Sequence, residues 1–219
     1  AESQFVQAPS PTAARLLVAA WCALPAVARR RRVDTLLAGP RRGQAPPVLA
    51  GHGTWLVRLA EAFPDDVGLL LAPLLNVLHL RPGEAIFVPP GTLHGYLQGV
   101  AIEAMTNSDN VLRGGLTAKH VDSQELVRIL RWEPYENPRL EPRLGPSRSD
   151  YDCAQAPFVI TRLQVGPQAV TWQVEGPEIM LAVEGQSTLT RLANGTPNAA
   201  EPAPTEFARG ASLFLPADT

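Results

Sequence analysis

Short apolar runs interrupted by glycine and proline occupy the chain from residue 76 onward, and they constrain its fold more than any other feature. Four such runs lie at 76–80, 85–88, 94–98 and 100–106. Proline lacks a backbone N–H and glycine weakens a strand interior, so both residues tend to end strands. Strands this short and this closely spaced are typical of a barrel or sandwich, and the sequence predicts such a β architecture here.

The first third of the chain is predicted to be helical. Apolar residues between Leu16 and Val27 recur at intervals of three and four, which indicates one face of a single helix. The run Arg29–Arg32 would then follow at the carboxyl end, where cations suit the helix dipole. Such a run also occurs in nucleic-acid-binding patches, but a block this short is more typical of a solvated helix end. A second helix is predicted from about Leu49 to Phe63, and the acidic pair that follows it, Asp65 and Asp66, is interpreted as a helix or turn cap.

A third helix is predicted after Asp122, which is placed to act as its N-cap with Glu125 three residues on. Leu126, Ile129 and Leu130 would supply its buried face. The polar, proline-rich segment that follows resembles a connection between domains. Five further strands are then predicted, at 158–165, 169–175, 179–183, 187–192 and 211–215.

An internal echo links the two β regions. GEAIFVPPG at Gly83–Gly91 is matched by GASLFLPAD at Gly210–Asp218, with the same spacing from glycine to proline. Two related β modules explain this echo most simply. We therefore expect a mainly β chain with an α-helical region, divided into a helical domain at 1–72, a β domain with a trailing helix at 73–132, a connector at 133–156 and a second β domain at 157–219.

Composition excludes several classes of protein. The chain has 45% hydrophobic and 18% charged residues and a net charge of -2, which is typical of a globular protein and gives no field for holding nucleic acid or an anionic membrane. Its two cysteines lack a CxxC spacing and favour a reducing compartment. The longest apolar stretch contains Arg15 and Pro25 and falls short of the ~20 residues of a membrane span. We expect a cytoplasmic protein with neither nucleic acid nor membrane as partner, and the oligomeric state is left open.

His94 stands in the most informative local pattern. Gly83, five residues, Pro89, one residue, Gly91, two residues and His94 resemble the second signature of the cupin β-barrels, with Gln98 where that pattern often has Asn. In this arrangement a tight turn is followed by a strand that starts with an imidazole, which can be a metal ligand at the barrel mouth. The alternative is a histidine packed against the barrel and satisfied by one hydrogen bond. The full spacing around His94 favours the metal site.

A longer motif is more specific. The region from about Leu74 to Trp132 resembles the type I mannose-6-phosphate isomerases, whose hallmark is Glu-x-Met-x-x-Ser-Asp-Asn-Val-x-Arg-x-Gly-Leu-Thr-x-Lys. The matching residues here are Glu103, Met105, Ser108, Asp109, Asn110, Val111, Arg113, Gly115, Leu116, Thr117 and Lys119. The resemblance implies two cupin modules, the second of them metal-free and both incomplete in this chain, together with a helical domain. It also implies a sugar-phosphate substrate and one zinc ion per subunit.

The resemblance also implies roles for individual residues. His94 matches the family's zinc-ligand histidine, and Arg113 matches the arginine regarded as catalytic. Glu103 is expected to transfer a proton or to orient a group that does. Tyr96 and Asp109 are expected to contact substrate, and Lys119 to contact phosphate or to act as a base. For Tyr96 and Glu103 the two-residue strand period leaves open which face each takes, so ordinary wet strand positions remain an equal alternative.

The family's remaining zinc ligands have no match. They come from a Gln-x-His-Pro motif and from a glutamate in a further motif, both upstream of the matched region, and the sequence has neither motif. A single histidine does not supply the three protein ligands that a catalytic zinc site needs. Three explanations are open: the amino-terminal part is missing, the ligands lie on another chain, or the activity is lost. The absence of an initiating Met favours the first.

Two other functions are alternatives to the isomerase. A metal-free cupin that binds a sugar phosphate or a partner without catalysis would account for the missing ligands. A cupin oxygenase or epimerase is less favoured, because no His-x-His pair accompanies His94.

Lys119 gives a sharp test, because it is the only lysine beside 18 arginines. Lys119→Arg keeps the positive charge but changes its geometry and its pKa. If Lys119 contacts phosphate or acts as a base, turnover falls in this variant of the isomerase. Turnover equal to that of the unmodified enzyme, measured by steady-state kinetics, would show that the lysine is only a remnant of an arginine-rich composition.

Overall fold

The computed structural model describes residues 9–49, 51–108, 110–192 and 203–217. The α-helices in these residues are α1 (Pro11–Cys22), α2 (Ala26–Leu37), α3 (Gly53–Ala62), α4 (Gly68–Leu71) and α5 (Ser123–Ile129). Short 3-10 turns lie at Pro40–Arg42, Pro47–Leu49 and Ala72–Leu74. The strands are β1 (Ala85–Ile86), β2 (Arg139–Leu140), β3 (Arg143–Leu144), β4 (Arg148–Tyr151), β5 (Ile160–Leu163), β6 (Glu178–Leu181), β7 (Gln186–Leu189), β8 (Thr205–Ala208) and β9 (Ser212–Leu215).

The described residues divide into two compact units. The first unit takes those within Ala1–Arg143 and Asp150–Ile160, and the second takes those within Leu144–Ser149 and Thr161–Thr219. The α-helices just named lie in the first unit, and so do the sequence motifs around His94 and Arg113.

Helix α1 begins at a well-formed cap. The Ser10 hydroxyl accepts a hydrogen bond from the Ala13 backbone N–H at 3.2 Å, and Pro11 occupies the first helical position, where no N–H is needed. The prediction of a single helix that spans Leu16 to Val27 is wrong. The segment divides into α1 and α2 because Pro25 has no N–H to donate and its ring excludes the preceding helical turn.

Residues 29–32 consequently lie inside α2 rather than at a helix end, which corrects the second part of that prediction. Two of these arginines bind one acidic residue in a loop. Arg29 donates to the Asp65 carbonyl at 2.6 Å, and Arg30 pairs with the Asp65 carboxylate at 2.6 Å. The hydrogen bond from Arg30 lowers the pKa of Asp65. Part of the basic run therefore joins α2 to the loop that precedes α4.

The core of the first unit forms where α2, α3 and α4 meet. It consists of leucines and one valine with almost no exposed surface: Val33, Leu37, Leu49, Leu56, Leu69 and Leu70. Leu116, from the motif that follows Arg113, is partly buried and packs against this cluster. The helical part of the chain and the motif segment thus share apolar contacts, and burial of this surface is the main term that stabilises the unit.

Residues 76–106 contain less strand than the sequence predicts. Of the four expected strands only Ala85–Ile86 forms a ladder, antiparallel to Arg139–Leu140, and the segments 76–80, 94–98 and 100–106 have no strand structure. A strand needs a hydrogen-bonded partner, and among the described residues no segment pairs with these three. Their apolar side chains, including Val100 and Ile102, are exposed.

Side chains from the proline-rich stretch hold this region in place. The hydroxyl of Tyr151 donates to the Gly83 carbonyl at 2.6 Å, and that of Tyr135 donates to the Phe87 carbonyl at 3.1 Å. Arg139 donates both to Glu84 and to the His79 carbonyl, each at 2.9 Å. These contacts fix the chain immediately before the turn that leads to His94.

Helix α5 follows its sequence signals closely. Asp122 is the N-cap, and its carboxylate accepts from the Glu125 N–H at 2.9 Å, as predicted. Leu126 is buried, whereas Ile129 is exposed, so the buried face is narrower than expected.

Two antiparallel strand pairs lie in the second unit. Strand β6 pairs with β9, with Glu178 opposite Leu215, and β7 pairs with β8, with Ser187 opposite Phe207. The prediction of a strand at 169–175 is wrong, since those residues have no strand structure, and β8 was not predicted. A further sheet of order β3-β4-β5 contains the positions at which the chain passes from one unit to the other.

No single helix in the described part of the chain is both long and apolar enough to cross a membrane. Two helices, at Pro11–Cys22 and Ala26–Arg42, reach that length and composition only when taken together, with a bend of 119° between them.

Leu37 tests the assignment of the core, because it is 0% exposed. Leu37→Ala leaves a cavity between helices and should lower the free energy of unfolding by about 2–5 kcal/mol. Leu16→Ala is the matched control, since Leu16 lies on α1 with 46% of its surface exposed and its truncation should cost at most about 1 kcal/mol. Chemical denaturation of both variants measures the difference, and equal losses would contradict the core.

Candidate functional site

The turn before His94 is fixed by its prolines and glycine. The Thr92 N–H donates to the Pro89 carbonyl at 3.2 Å, and Gly91 between them has φ +79°, as the third position of such a turn requires. A side chain could not be added at Gly91, because a Cβ there would lie 2.9 Å from the Ile129 carbonyl oxygen. The Arg131 N–H donates to the Gly91 carbonyl at 2.8 Å and ties the turn to the end of α5.

His94 has one ring nitrogen engaged. Its Nδ1 lies 2.8 Å from the Thr92 carbonyl oxygen. Because a carbonyl only accepts, Nδ1 must carry the proton, which leaves the lone pair on Nε2. This is the tautomer that a histidine needs in order to bind a metal through Nε2, and the carbonyl contact orients the ring.

Tyr96 and Glu103 form a pair beside His94. The Tyr96 hydroxyl donates to Glu103 Oε1 at 2.7 Å, and the Tyr96 ring meets the His94 ring edge to face, with centroids 6.0 Å apart. Partial burial of the hydroxyl, together with the hydrogen bond and negative charge of Glu103, raises the pKa of Tyr96 to about 12. The structure thus brings His94 together with the two residues whose faces the strand period left open.

Arg113 directly precedes Gly114, and Gly114 packs against Leu93, the residue before His94. Arg113 is half-buried, and a Cβ added at the following Gly114 would lie 2.6 Å from Leu93 Cδ1. Leu93 directly precedes His94, so Arg113 and His94 are each one residue away from this contact. The arrangement needs glycine at 114, since any side chain there would displace Leu93.

The other predicted site residues are less constrained. Lys119 is exposed, and its backbone N–H donates to the Thr117 hydroxyl at 3.1 Å. Asp109, predicted to bind substrate, lies outside the described residues.

The described residues do not supply a complete zinc site. Within them no group of three or more His, Cys, Asp or Glu side chains could hold a metal ion. The tautomer of His94 fits a zinc ligand, but three protein ligands are the minimum for a catalytic site. The described donor set therefore does not fit zinc by itself.

Asp66 makes one hydrogen bond that the sequence predicts and a second, near Arg113, that it does not. Its Oδ1 accepts from the Gly68 N–H at 2.7 Å, in agreement with the expected turn cap. The same oxygen also accepts from the Leu116 N–H at 2.9 Å, across 50 residues of chain, and sequence reasoning missed this contact. The pair Gly114–Gly115 was the available signal, because glycine often marks a close approach of two backbones.

Comparison with known proteins identifies relatives of one kind. No family model matches the chain. The mannose-6-phosphate isomerase of Salmonella typhimurium is 40% identical over 137 residues, which are 61% of this chain and 34% of the relative. The mannose-6-phosphate isomerase of Macaca fascicularis is 33% identical over 174 residues, which are 76% of this chain and 40% of the relative.

The fold agrees with these relatives. A crystal structure of mannose 6-phosphate isomerase from Salmonella typhimurium, bound to its substrate fructose 6-phosphate and to zinc, superposes with a TM-score of 0.79 at 30% identity. The superposition covers 99% of this chain and 52% of that one. The chain thus spans between a third and about half of the length of the proteins it matches.

Glu103→Gln tests the pair with Tyr96. Removing the negative charge should lower the pKa of Tyr96 from about 12, although not to the ordinary ~10, because burial also raises it. A rapid pH jump followed by tyrosinate absorbance measures this titration before the chain unfolds, and Tyr96→Phe identifies the Tyr96 signal.

Glu125→Gln is the matched control for that measurement. Glu125 pairs with Arg128 on the surface of α5, and not with a tyrosine, so its loss should leave the tyrosine titration unchanged. An unaltered pKa in the Glu103 variant would contradict the pair.

Proposed function

Because this chain is homologous to mannose-6-phosphate isomerases, we propose that the protein is an aldose–ketose isomerase that interconverts mannose 6-phosphate and fructose 6-phosphate. The observation that carries this proposal is the sequence identity of 40% with the Salmonella typhimurium relative over 61% of this chain. The likeness of fold to a structure that contains fructose 6-phosphate and zinc supports the same substrate class.

The residues of the site suit this chemistry. The reaction moves a proton between C1 and C2 of the sugar through an enediolate, on which negative charge develops. Arg113 supplies a permanent positive charge in a planar fork that matches two oxygens, so it stabilises the charged transition state more than the neutral sugar. Its half-buried position strengthens this interaction relative to one in bulk water.

Glu103 is assigned to proton transfer or to its orientation. Its carboxylate accepts the Tyr96 hydroxyl at 2.7 Å, which holds one oxygen and leaves the other to face a substrate. Tyr96 stays protonated at neutral pH because its pKa is about 12, so it acts as a hydrogen-bond donor rather than as a base. Lys119 and Asp109 are assigned to the sugar phosphate, with the exposed lysine facing the phosphate charge.

We further propose that His94 is one ligand of a zinc site. Its Nε2 is the available nitrogen, and the described residues do not complete the set of three protein ligands, so at least one further ligand must come from elsewhere. A zinc ion bound there would supply Lewis-acid stabilisation of oxygen anions.

The domain organisation is proposed on the same grounds. A helical domain at 1–72, part of a catalytic cupin at 73–132, a connector at 133–156 and a metal-free second cupin at 157–219 would account for the internal echo. Backbone geometry supports this, because Gly83 has φ +89° and Gly210 has φ +85°, and each is followed within two residues by a strand. The two echoes therefore share a turn that favours glycine.

One observation favours a second candidate, a metal-free cupin that binds a sugar phosphate without turnover: the described residues contain no group of three or more His, Cys, Asp or Glu side chains that could hold a metal ion. Metal analysis of the longest polypeptide that the gene encodes separates the two candidates. A stoichiometric divalent ion that is lost in His94→Ala supports the isomerase, and its absence supports the binding protein.

Arg113→Ala tests the catalytic assignment. Loss of one preorganised stabilising group should lower kcat by about 100-fold or more, while the chain stays folded. Arg113→Lys should recover little activity, because a point charge does not reproduce the fork. Steady-state kinetics with mannose 6-phosphate measures both variants.

Arg128→Ala provides the control for that experiment. Arg128 pairs with Glu125 on the surface of α5, so turnover should be unchanged when it is removed. Intact turnover in Arg113→Ala would refute the role given to Arg113.

A further inference from the structure

We infer that Asp66 is a positioning residue, which holds the segment Arg113–Lys119 in the place that isomerisation requires. We call this segment the arginine loop. The inference rests on the proposed function for its catalytic consequence, whereas the contacts of Asp66 stand independently of it. The hydrogen bonds of Asp66 go to backbone amides, so it has no direct part in the chemistry.

The first observation is a shared acceptor. One oxygen of Asp66 accepts from the Gly68 N–H at 2.7 Å and from the Leu116 N–H at 2.9 Å. The first bond shapes the turn into α4, and the second joins that turn to the arginine loop. Hydrogen bonds to a carboxylate are stronger than those between neutral groups, so the two bonds to Asp66 stabilise this contact more than two bonds between neutral amides would.

The second observation is the closeness of the two backbones. A Cβ at Gly115 would lie 2.5 Å from Asp66 Oδ1 and 2.8 Å from the Gly68 nitrogen. Conversely, a Cβ at Gly68 would lie 2.7 Å from Leu116 Cγ. Neither position tolerates a side chain, and Gly115 also has φ +125°. Asp66 therefore lies where two chain segments meet at a distance that only glycine permits.

The third observation is the conformation of Leu116. It has φ +54°, a left-handed value that a leucine rarely takes, and such a conformation persists only when its surroundings impose it. Two contacts impose it here. The Leu116 amide is held by Asp66, and its side chain packs against the helical core that includes Leu69 and Leu70.

These contacts affect the position of Arg113, because only a short chain segment separates it from Leu116. Arg113 lies three residues before Leu116, and Gly114 between them packs against Leu93, next to His94. Gly114 contacts Leu93, and the Leu116 amide contacts Asp66. The two adjacent glycines connect these contacts, and without the Asp66 contact they allow wide rotation of the backbone. Displacement of a charged group by about 1 Å can cost a hundredfold in rate, so loss of the contact between Asp66 and the Leu116 amide should lower the rate of catalysis.

The test compares three variants of the longest polypeptide that the gene encodes. Asp66→Ala removes the acceptor. Asp66→Asn keeps an oxygen that can accept both N–H groups but removes the charge. Asp65→Asn is the neighbouring control, because Asp65 pairs with Arg30 instead, and asparagine tolerates its φ of +63°.

Two measurements are made on each variant: amide hydrogen exchange at Leu116 and Gly68, and kcat and KM for mannose 6-phosphate. We expect Asp66→Ala to accelerate exchange at both amides and to lower kcat by about tenfold to a hundredfold. The loss should fall mainly on kcat, because Gly114 and Gly115 connect the Asp66 contact to Arg113, which acts on the transition state. A smaller rise in KM is expected from Lys119, at the other end of the loop, which is assigned to the sugar phosphate. Asp66→Asn should restore most of kcat, and Asp65→Asn should match the unmodified protein in both measurements.

The possible failures are distinct. If the unmodified protein has no isomerase activity, the proposed function is wrong, and the exchange measurement still decides whether Asp66 holds the loop. Unchanged exchange at Leu116 in Asp66→Ala would overturn the inference directly. Faster exchange with unchanged kcat would show that Asp66 is structural only, which overturns its catalytic part. Equal loss of kcat in Asp65→Asn would show a general effect of destabilising the turn, and would overturn the inference as well.

Discussion

The first unit depends on one close approach, at which the backbone of Gly68 meets that of Gly115. On one side of this contact lie helices whose leucines form the buried core, and on the other lies the loop that carries Arg113. Neither side could move closer, and a side chain at either glycine would force them apart. The packed helices therefore hold the arginine loop in place, and their apolar core stabilises the positions of the charged and polar residues on that loop.

Local signals in the sequence were sufficient for much of the helical structure. Asp122 caps α5 as its spacing to Glu125 predicts, since a cap involves residues only three positions apart. At Pro25 the two local signals conflict: apolar periodicity predicts one continuous helix, but the missing proline N–H divides it into two. The β region was harder to predict. Whether 94–98 or 100–106 forms a strand depends on a partner strand, and alternation of residues carries no information about that partner.

A similar division applies to the candidate site. The spacing of Gly91 and His94 predicted the tight turn, because a turn is encoded by consecutive residues, whereas the strand expected to start at His94 does not form. The contact of Asp66 with Leu116 spans 50 residues, and no local pattern specifies it. Tyr96 and Glu103 lie between these cases. Their proximity follows from how the chain folds back at Gly99, which has φ +117°, and the residue types alone could not fix that path.

The exposed ε-amine of Lys119 has a practical consequence for work on this chain. Because every other basic side chain in these 219 residues is an arginine or a histidine, an amine-directed reagent has one side-chain target, beside the terminal amine. That target lies on the loop joined to the helical core through Leu116. A fluorophore or crosslinker attached to Lys119 needs no engineered cysteine, and its mobility would report on the loop.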